Sequence, residues 1–138
     1  MTGLEFASSL IGENAMPMAK QFSFRLVSVE YGRVVATAQP SVHHYNPFDI
    51  VQGGFAGSVL DMALGLVSVS VLDENMSVAT TDLTVRYARP IRAHTGTLTA
   101  TAHTIHVGKR IVIAEARLVD GGGVLYAIAQ CTSLVSAA

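Results

Sequence analysis

Residues 53–72 read GGFAGSVLDMALGLVSVSVL, and Asp61 is the only ionisable side chain among them. The run is too long for a buried strand, which rarely exceeds about eight residues, so it predicts one long helix over Gly53–Leu72. A helix apolar on nearly every side needs cover on nearly every side. A lone carboxylate in such a segment is costly to bury unless it is paired, hydrated or used. Burial raises its pKa unless donors stabilise the anion, and a perturbed acid in a cleft is a candidate functional group.

The flanking sequence supplies strands. Phe22–Glu30 and Arg33–Pro40 are predicted strands around a tight turn at Tyr31-Gly32. Ser41–Val51 is a predicted loop, broken by Pro47. After the helix come four more runs: Ser77–Ala88, Thr97–Val107, Lys109–Val119 and Val124–Val135. Gly108 and Asp120–Gly123 mark the turns between the last three. Strict alternation in the first of the four puts Ala79, Thr81, Leu83, Val85 and Tyr87 on one face. Two strands, a helix and four strands predict an α+β domain, a curved antiparallel sheet wrapped around one central helix. Residues 1–138 fit a single domain. Residues 1–20 form an N-terminal extension with a short helix around Leu4–Ile11.

Composition narrows the function. Half of the 138 residues are hydrophobic and only 14% are charged, so a lone protomer would show an apolar surface. A homodimer or homotetramer is therefore expected. The formal net charge of −1 argues against a nucleic-acid partner, which calls for a basic field. The single cysteine, Cys131, has no partner for a disulfide or a zinc site and reads as a small buried hydrophobe. His43 and His44 lack a third ligand at a metal-binding spacing, so no metal is expected. His103 and His106, three apart on a strand, are expected on opposite faces. Asp82 is expected to have a structural or substrate-side role. Glu5 stands where a secretory signal would be basic, and the cytoplasm is the expected location. The central Asp61 and the glycines of the long helix argue against a membrane span.

Candidate chemistry gathers around the start of that helix. A helix N-terminus presents unpaired N–H groups and partial positive charge. Glycines at 53 and 54 let a carbonyl approach those donors closely, which suits an oxygen gaining negative charge. Asp61 lies eight residues beyond Gly53, about 12 Å along the axis. That is too far for both to act on one carbonyl within a protomer, and a two-fold dimer removes the difficulty.

The pattern Asn46, Gln52-Gly53-Gly54 and Asp61 resembles that of the hotdog-fold thioesterases, in particular the PaaI-like (phenylacetate-pathway) branch of the 4-hydroxybenzoyl-CoA thioesterase superfamily. TTDLTVRYARPI (residues 80–91) is similar to the family's strand ending in Tyr-x-x-Pro. HVGKRIVIAEARLVDGGGVLYAIAQCTSLV is similar to its last two strands, and the likeness extends from Phe22 to Val135. The resemblance implies a hotdog fold and hydrolysis of an acyl-CoA thioester without a cofactor, on an aromatic or medium-length acyl group. It implies Asp61 as general base or nucleophile and the Gly53 N–H as the donor to the thioester carbonyl. It further implies Asn46 as the group orienting acid or water and Thr80 as a hydroxyl positioning water. Gln52 and Gly54 fall in the substrate-binding loop. Arg89, Lys109 and Arg110 are candidate contacts for coenzyme A phosphates, and solvated charges otherwise. The family usually carries His where this chain has Gln52, which cannot titrate near neutral pH. A brace for the loop is the expected role of Gln52. Two alternatives stand beside hydrolysis: a hotdog hydratase or dehydratase, disfavoured by the missing His, and a non-catalytic acyl-CoA binder, disfavoured by Asp61. Phe48, Phe55, Met62 and Tyr87 are candidates for pocket lining or for core.

Overall fold

A short helix, α1 (Gly3–Ser8), opens the chain; it begins one residue before the expected Leu4 and ends three before the expected Ile11, with Ser9 and Leu10 in a turn. The computed structural model describes residues 1–12 and 16–138, so residues 13–15 of the N-terminal extension lie outside the described residues. A 3-10 turn, Pro17–Phe22, follows, and Ser23 at φ 48° ends it. The first strand therefore begins later than alternation suggests. β1 (Arg25–Glu30) pairs antiparallel with β2 (Arg33–Ala38). The long helix α2 spans Gly53–Ser70, as the run of apolar residues predicts. β3 (Met76–Tyr87), β4 (Leu98–Val107), β5 (Ile111–Val119) and β6 (Leu125–Ala137) complete one antiparallel sheet in the order β1-β2-β4-β5-β6-β3.

The Thr/Ala-rich strands explain how helix and sheet meet. Ala36, Ala100, Ala102, Ala114, Ala116, Ala127 and Ala129 are all buried on the face beneath α2. Their threonine and charged neighbours point to the other face, as the two-residue period of a strand requires. Methyl groups alone on the sheet side leave a groove, and Phe55, Val59, Leu60, Leu64 and Val67 of α2 fill it. The helix is long and apolar enough to cross a membrane, yet ten of its 18 residues are buried within the protomer.

Hydrogen bonds hold the C-terminal end of α2. Near its C-terminus the Ser70 hydroxyl donates to the Val67 carbonyl (2.6 Å) and accepts from the Gly32 N–H (3.0 Å), tying the helix to the β1–β2 turn. Gly32 takes φ 75°, a conformation glycine adopts without strain. The Gly3 N–H donates to the Leu72 carbonyl (3.0 Å) and seats α1 on the end of α2.

Two bulges correct the predicted faces. In β3, Thr80 pairs with Ser133 and Asp82 with Thr132, so Thr81 is the extra residue. Leu83, Val85 and Tyr87 share the inner face as expected, but Thr80 joins them and Ala79 faces out. The bulge is held by side chains: Thr81 Oγ1 donates to the Thr132 carbonyl (3.1 Å), and Asp82 Oδ1 accepts from the Thr132 N–H (3.2 Å). Asp82 thus has the structural role that was one of its two expected roles. In β4, His103 pairs with Glu115 and His106 with Ile113 across a second bulge. The two histidines therefore share the outer face, contrary to the expectation from spacing alone.

β3 forms one edge of the sheet. Except for Val78 and Val85, which are half-buried, every residue from Met76 to Tyr87 is exposed in the protomer. A long unpaired edge with Leu83 and Tyr87 in the open is a surface that proteins normally cover or pair.

Candidate active site

The loop before α2 is built to deliver two free donors. The Asn46 N–H donates to the Ile50 carbonyl (2.8 Å), while Asn46 Oδ1 accepts from the N–H groups of Phe48 (2.9 Å) and Ile50 (3.4 Å). This closes a tight turn in which Asp49 takes φ 60°. The Gln52 N–H then donates to the His44 carbonyl (2.7 Å), and the Val51 N–H to the Ile91 carbonyl (2.8 Å). At the first turn of α2 the Phe55 N–H reaches the Gln52 carbonyl (2.9 Å). The N–H groups of Gly53 and Gly54 have no protein partner among the described residues, as the geometry of a helix start dictates.

A cleft of about 330 Å³ opens there, lined by residues that include Asn46, Gln52, Gly53, Tyr87, Arg89 and Ile91. Four of the sequence-predicted site residues, Asn46, Gln52, Gly53 and Arg89, thus meet in one place. Gly54 stands beside it on the open side of the helix, where a Cβ would touch nothing within 4 Å.

Asp61 is outside that cleft, about two turns along the helix. It belongs to a stripe of α2 that its own sheet does not bury: Gly54, Gly57, Ser58, Asp61, Met62, Gly65 and Val69. Its carboxylate has no hydrogen-bond partner among the described residues, and partial burial raises its pKa above the ordinary carboxylate value. The Cys131 thiol is also pushed up, by burial first, with the charge of Asp61 among the lesser causes. Cys131 pairs with Leu83 of β3. Gly57, one turn before Asp61 on the same stripe, faces Val85 and Tyr87 of β3, each 4.0 Å from where its Cβ would stand, so the stripe runs along the inner side of the β3 edge, the side to which the bulge turns Thr80.

Lys109 and Arg110 are at the far end of the sheet. The Arg110 carbonyl accepts from the Val135 N–H (2.7 Å), and Val135 pairs with Val78. From Val78 to Tyr87, beside the cleft, is roughly 30 Å of strand at ~3.3 Å per residue. One protomer does not bring these two cations to Arg89. Arg89 itself sits near Asp120, whose carboxyl is held below its ordinary value by the Val124 and Gly122 N–H groups and the Tyr126 hydroxyl, with Arg89 contributing.

The expected brace is supplied by another residue. The Gln52 side chain is exposed and makes no hydrogen bond among the described residues. His44 holds the loop instead: Nδ1 accepts from the Ser41 N–H (3.0 Å), and Nε2 lies 2.7 Å from the Gln21 carbonyl. The two bonds together fix the Nε2-protonated tautomer. The ring packs between Phe22 and Phe55, with centroids 5.9 and 4.6 Å away. Phe55 is core, and Phe48 is exposed. Tyr87, one of the ambiguous aromatics, donates its hydroxyl to the Gly53 carbonyl at 2.8 Å. Its place at the end of an alternating strand gave no hint of that contact.

Comparison with known proteins bears on this arrangement. The Thioesterase superfamily profile matches residues 48–127, more than half of the chain. A 1,4-dihydroxy-2-naphthoyl-CoA hydrolase of Listeria monocytogenes is 25% identical over 120 residues, covering 87% of this chain and 96% of its own. Among solved structures, a phenylacetic acid degradation-related protein of Ralstonia eutropha is 26% identical with a TM-score of 0.82, over 94% of this chain and 98% of that one. The E. coli PaaI protein of the phenylacetic acid degradation operon is 25% identical with a TM-score of 0.79, over 87% of this chain and 84% of that one. The chain belongs to the Thioesterase superfamily, as a hotdog-fold thioester hydrolase.

Proposed function

We propose that this protein hydrolyses an acyl-CoA with an aromatic or medium-length acyl group, acting in the cytoplasm as a homodimer or homotetramer. One observation carries the reading. The open stripe of α2 bears, at its start, N–H donors and, two turns on, a carboxylate that have no partner among the described residues, both beside the unpaired β3 edge. A two-fold axis at that edge gives each site the helix start of one protomer and Asp61 of the partner subunit. It also covers the exposed face of β3 and brings Lys109 and Arg110 from the far end of one sheet toward the cleft of the other.

In this site the thioester oxygen lies against the Gly53 N–H, with Gly54 beside it. Asp61 takes a proton from water as the oxygen attacks the carbonyl carbon. The negative charge moves onto the carbonyl oxygen, where the fixed donors of the helix start stabilise it. Collapse of the tetrahedral species breaks the C–S bond, and the proton held by Asp61 goes to the thiolate. The products are the free acid and coenzyme A. Direct attack by Asp61 would give an anhydride that water then opens, with the same products. Asn46 spends its carbonyl oxygen on its own turn, leaving its amide N–H₂ for acid or water. Thr80 supplies a hydroxyl on the same side of the sheet as Asp61. Arg89 meets coenzyme A phosphate at the cleft.

The test is thiol release from a panel of acyl-CoAs, with Asp61→Asn alongside. Release by the wild type that is lost in a folded Asp61→Asn supports the reading. Tight acyl-CoA binding with no release by the wild type replaces it with the binder. Hydration of an enoyl-CoA without release replaces it with the hydratase.

A further inference from the structure

We propose that Tyr87 is a positioning residue for the carbonyl-binding donors: its hydroxyl fixes and polarises the Gly53–Gly54 peptide, so that the Gly54 N–H acts with the Gly53 N–H on the thioester oxygen. The inference rests on the hydrolytic reading above and deepens it. The geometry is local. The Tyr87 hydroxyl donates to the Gly53 carbonyl at 2.8 Å. That carbonyl and the Gly54 N–H are the two ends of one planar peptide unit. A bond at the carbonyl end orients the unit and strengthens its N–H as a donor, an effect of roughly 10–30% per bond. The neighbouring unit is treated alike. The Gly53 N–H shares a peptide with the Gln52 carbonyl, which accepts from the Phe55 N–H at 2.9 Å. Both N–H groups left without a partner at the helix start, among the described residues, therefore belong to peptides held from behind.

The contact also accounts for glycine at 53. A Cβ there would stand 3.0 Å from the Tyr87 hydroxyl and 3.2 Å from the ring carbon that carries it. Only a residue without a side chain lets the hydroxyl lie this close to the first turn. Tyr87 reaches it from the end of β3, so the edge strand and the helix start are joined at the cleft. The phenol ring forms part of the cleft wall as well, and a wall residue alone would influence substrate binding rather than the chemical step.

Tyr87→Phe separates the two roles, because the ring stays and only the donor is lost. The expected result is a kcat lower by about 3- to 10-fold, well short of the 100-fold or more for losing an oxyanion donor outright. KM should stay within about twofold, since the lost effect grows with the charge on the oxygen. Difference infrared spectra of a bound ¹³C-labelled ketone analogue, with CH₂ replacing the thioester sulfur, give a second readout. The carbonyl band should move toward its position in water in Tyr87→Phe, and further from it when Tyr87 is replaced by 3-fluorotyrosine, a stronger donor of nearly the same shape. A raised KM with unchanged kcat, or a carbonyl band equal in all three proteins, overturns the inference and leaves the hydrolytic reading standing. A wild type that releases no thiol from any acyl-CoA overturns both.

Discussion

Gly53→Ala should uncouple stability from activity, and the structure gives both magnitudes. The added methyl meets the Tyr87 hydroxyl at 3.0 Å and two ring carbons at 3.2 and 3.5 Å. The end of an exposed side chain can retreat by the few tenths of an ångström required. Retreat stretches and weakens the 2.8 Å bond to the Gly53 carbonyl, a net loss of at most about 1 kcal/mol. Against it, alanine is favoured over glycine in a helix by up to about 1 kcal/mol, partly through the unfolded chain. The two nearly cancel, so Tm should move by no more than about 4 °C for a domain of this size. The cost to catalysis is larger. The methyl group displaces the tyrosine that holds the second donor and narrows the approach to the first, so kcat/KM should fall by about 100-fold, the scale of a lost oxyanion donor. Gly54→Ala is the control for stability, because its Cβ meets nothing within 4 Å, and it should raise stability by about 0.5–1 kcal/mol. Thermal unfolding and thiol-release kinetics on the two variants decide the matter. Wild-type turnover in Gly53→Ala would refute the placement of the carbonyl at the helix start. A loss above about 3 kcal/mol would show the Tyr87 contact to be a core contact instead.

Three further outcomes are expected. Burial raises the Asp61 pKa, so the acid limb of kcat/KM should lie above the pH at which an exposed aspartate titrates, about 3.9; a limb at or below that value removes Asp61 as the ionising group. The folded state holds that proton more tightly than the unfolded chain, so stability falls as pH rises through the raised pKa, and Asp61→Asn should melt no lower than wild type at pH 7. Leu83→Lys puts two like charges at a paired β3 edge, and sedimentation velocity should find protomers with no thiol release; an active dimer would contradict pairing through β3. His44→Ala deletes two hydrogen bonds and a ring packed on Phe22 and Phe55, and urea unfolding should register a loss of about 2–4 kcal/mol; a loss under 0.5 would return the brace to another residue.

The long helix was legible because its apolar run far exceeds a strand, and its observed span ends two residues before the predicted Leu72. Strand order was legible from glycine turns and alternation. The bulges were not. An extra residue at Thr81 or near Ile105 leaves composition unchanged and is set by pairing with a distant strand, so it inverted the faces of Ala79 and Thr80 and reunited His103 with His106. The late start of β1 was hidden for a related reason, since the Pro17–Phe22 turn carries apolar residues like a strand. Within the site, the Gly-Gly junction and Asp61 stood out as departures from an apolar pattern. The brace at His44 and the hydroxyl of Tyr87 did not, because each acts on a backbone carbonyl that no side-chain motif records. Lys109 and Arg110 were grouped with Arg89 by charge, and only topology shows them a sheet's length away.

The alanine floor under α2 sets a height as well as a packing density. Ala100, Ala102, Ala114 and Ala116 hold the helix axis at the distance that one layer of methyl groups allows. The helix start meets the Tyr87 hydroxyl at that same height. A larger side chain anywhere on the floor would act as a wedge, tilting the whole rod about its Ser70 anchorage. Its displacement would be greatest at the opposite end, where Gly53 stands. Drift at those methyl positions, remote from any substrate, is thus a means of retuning the reactive geometry while leaving every polar residue of the site unchanged.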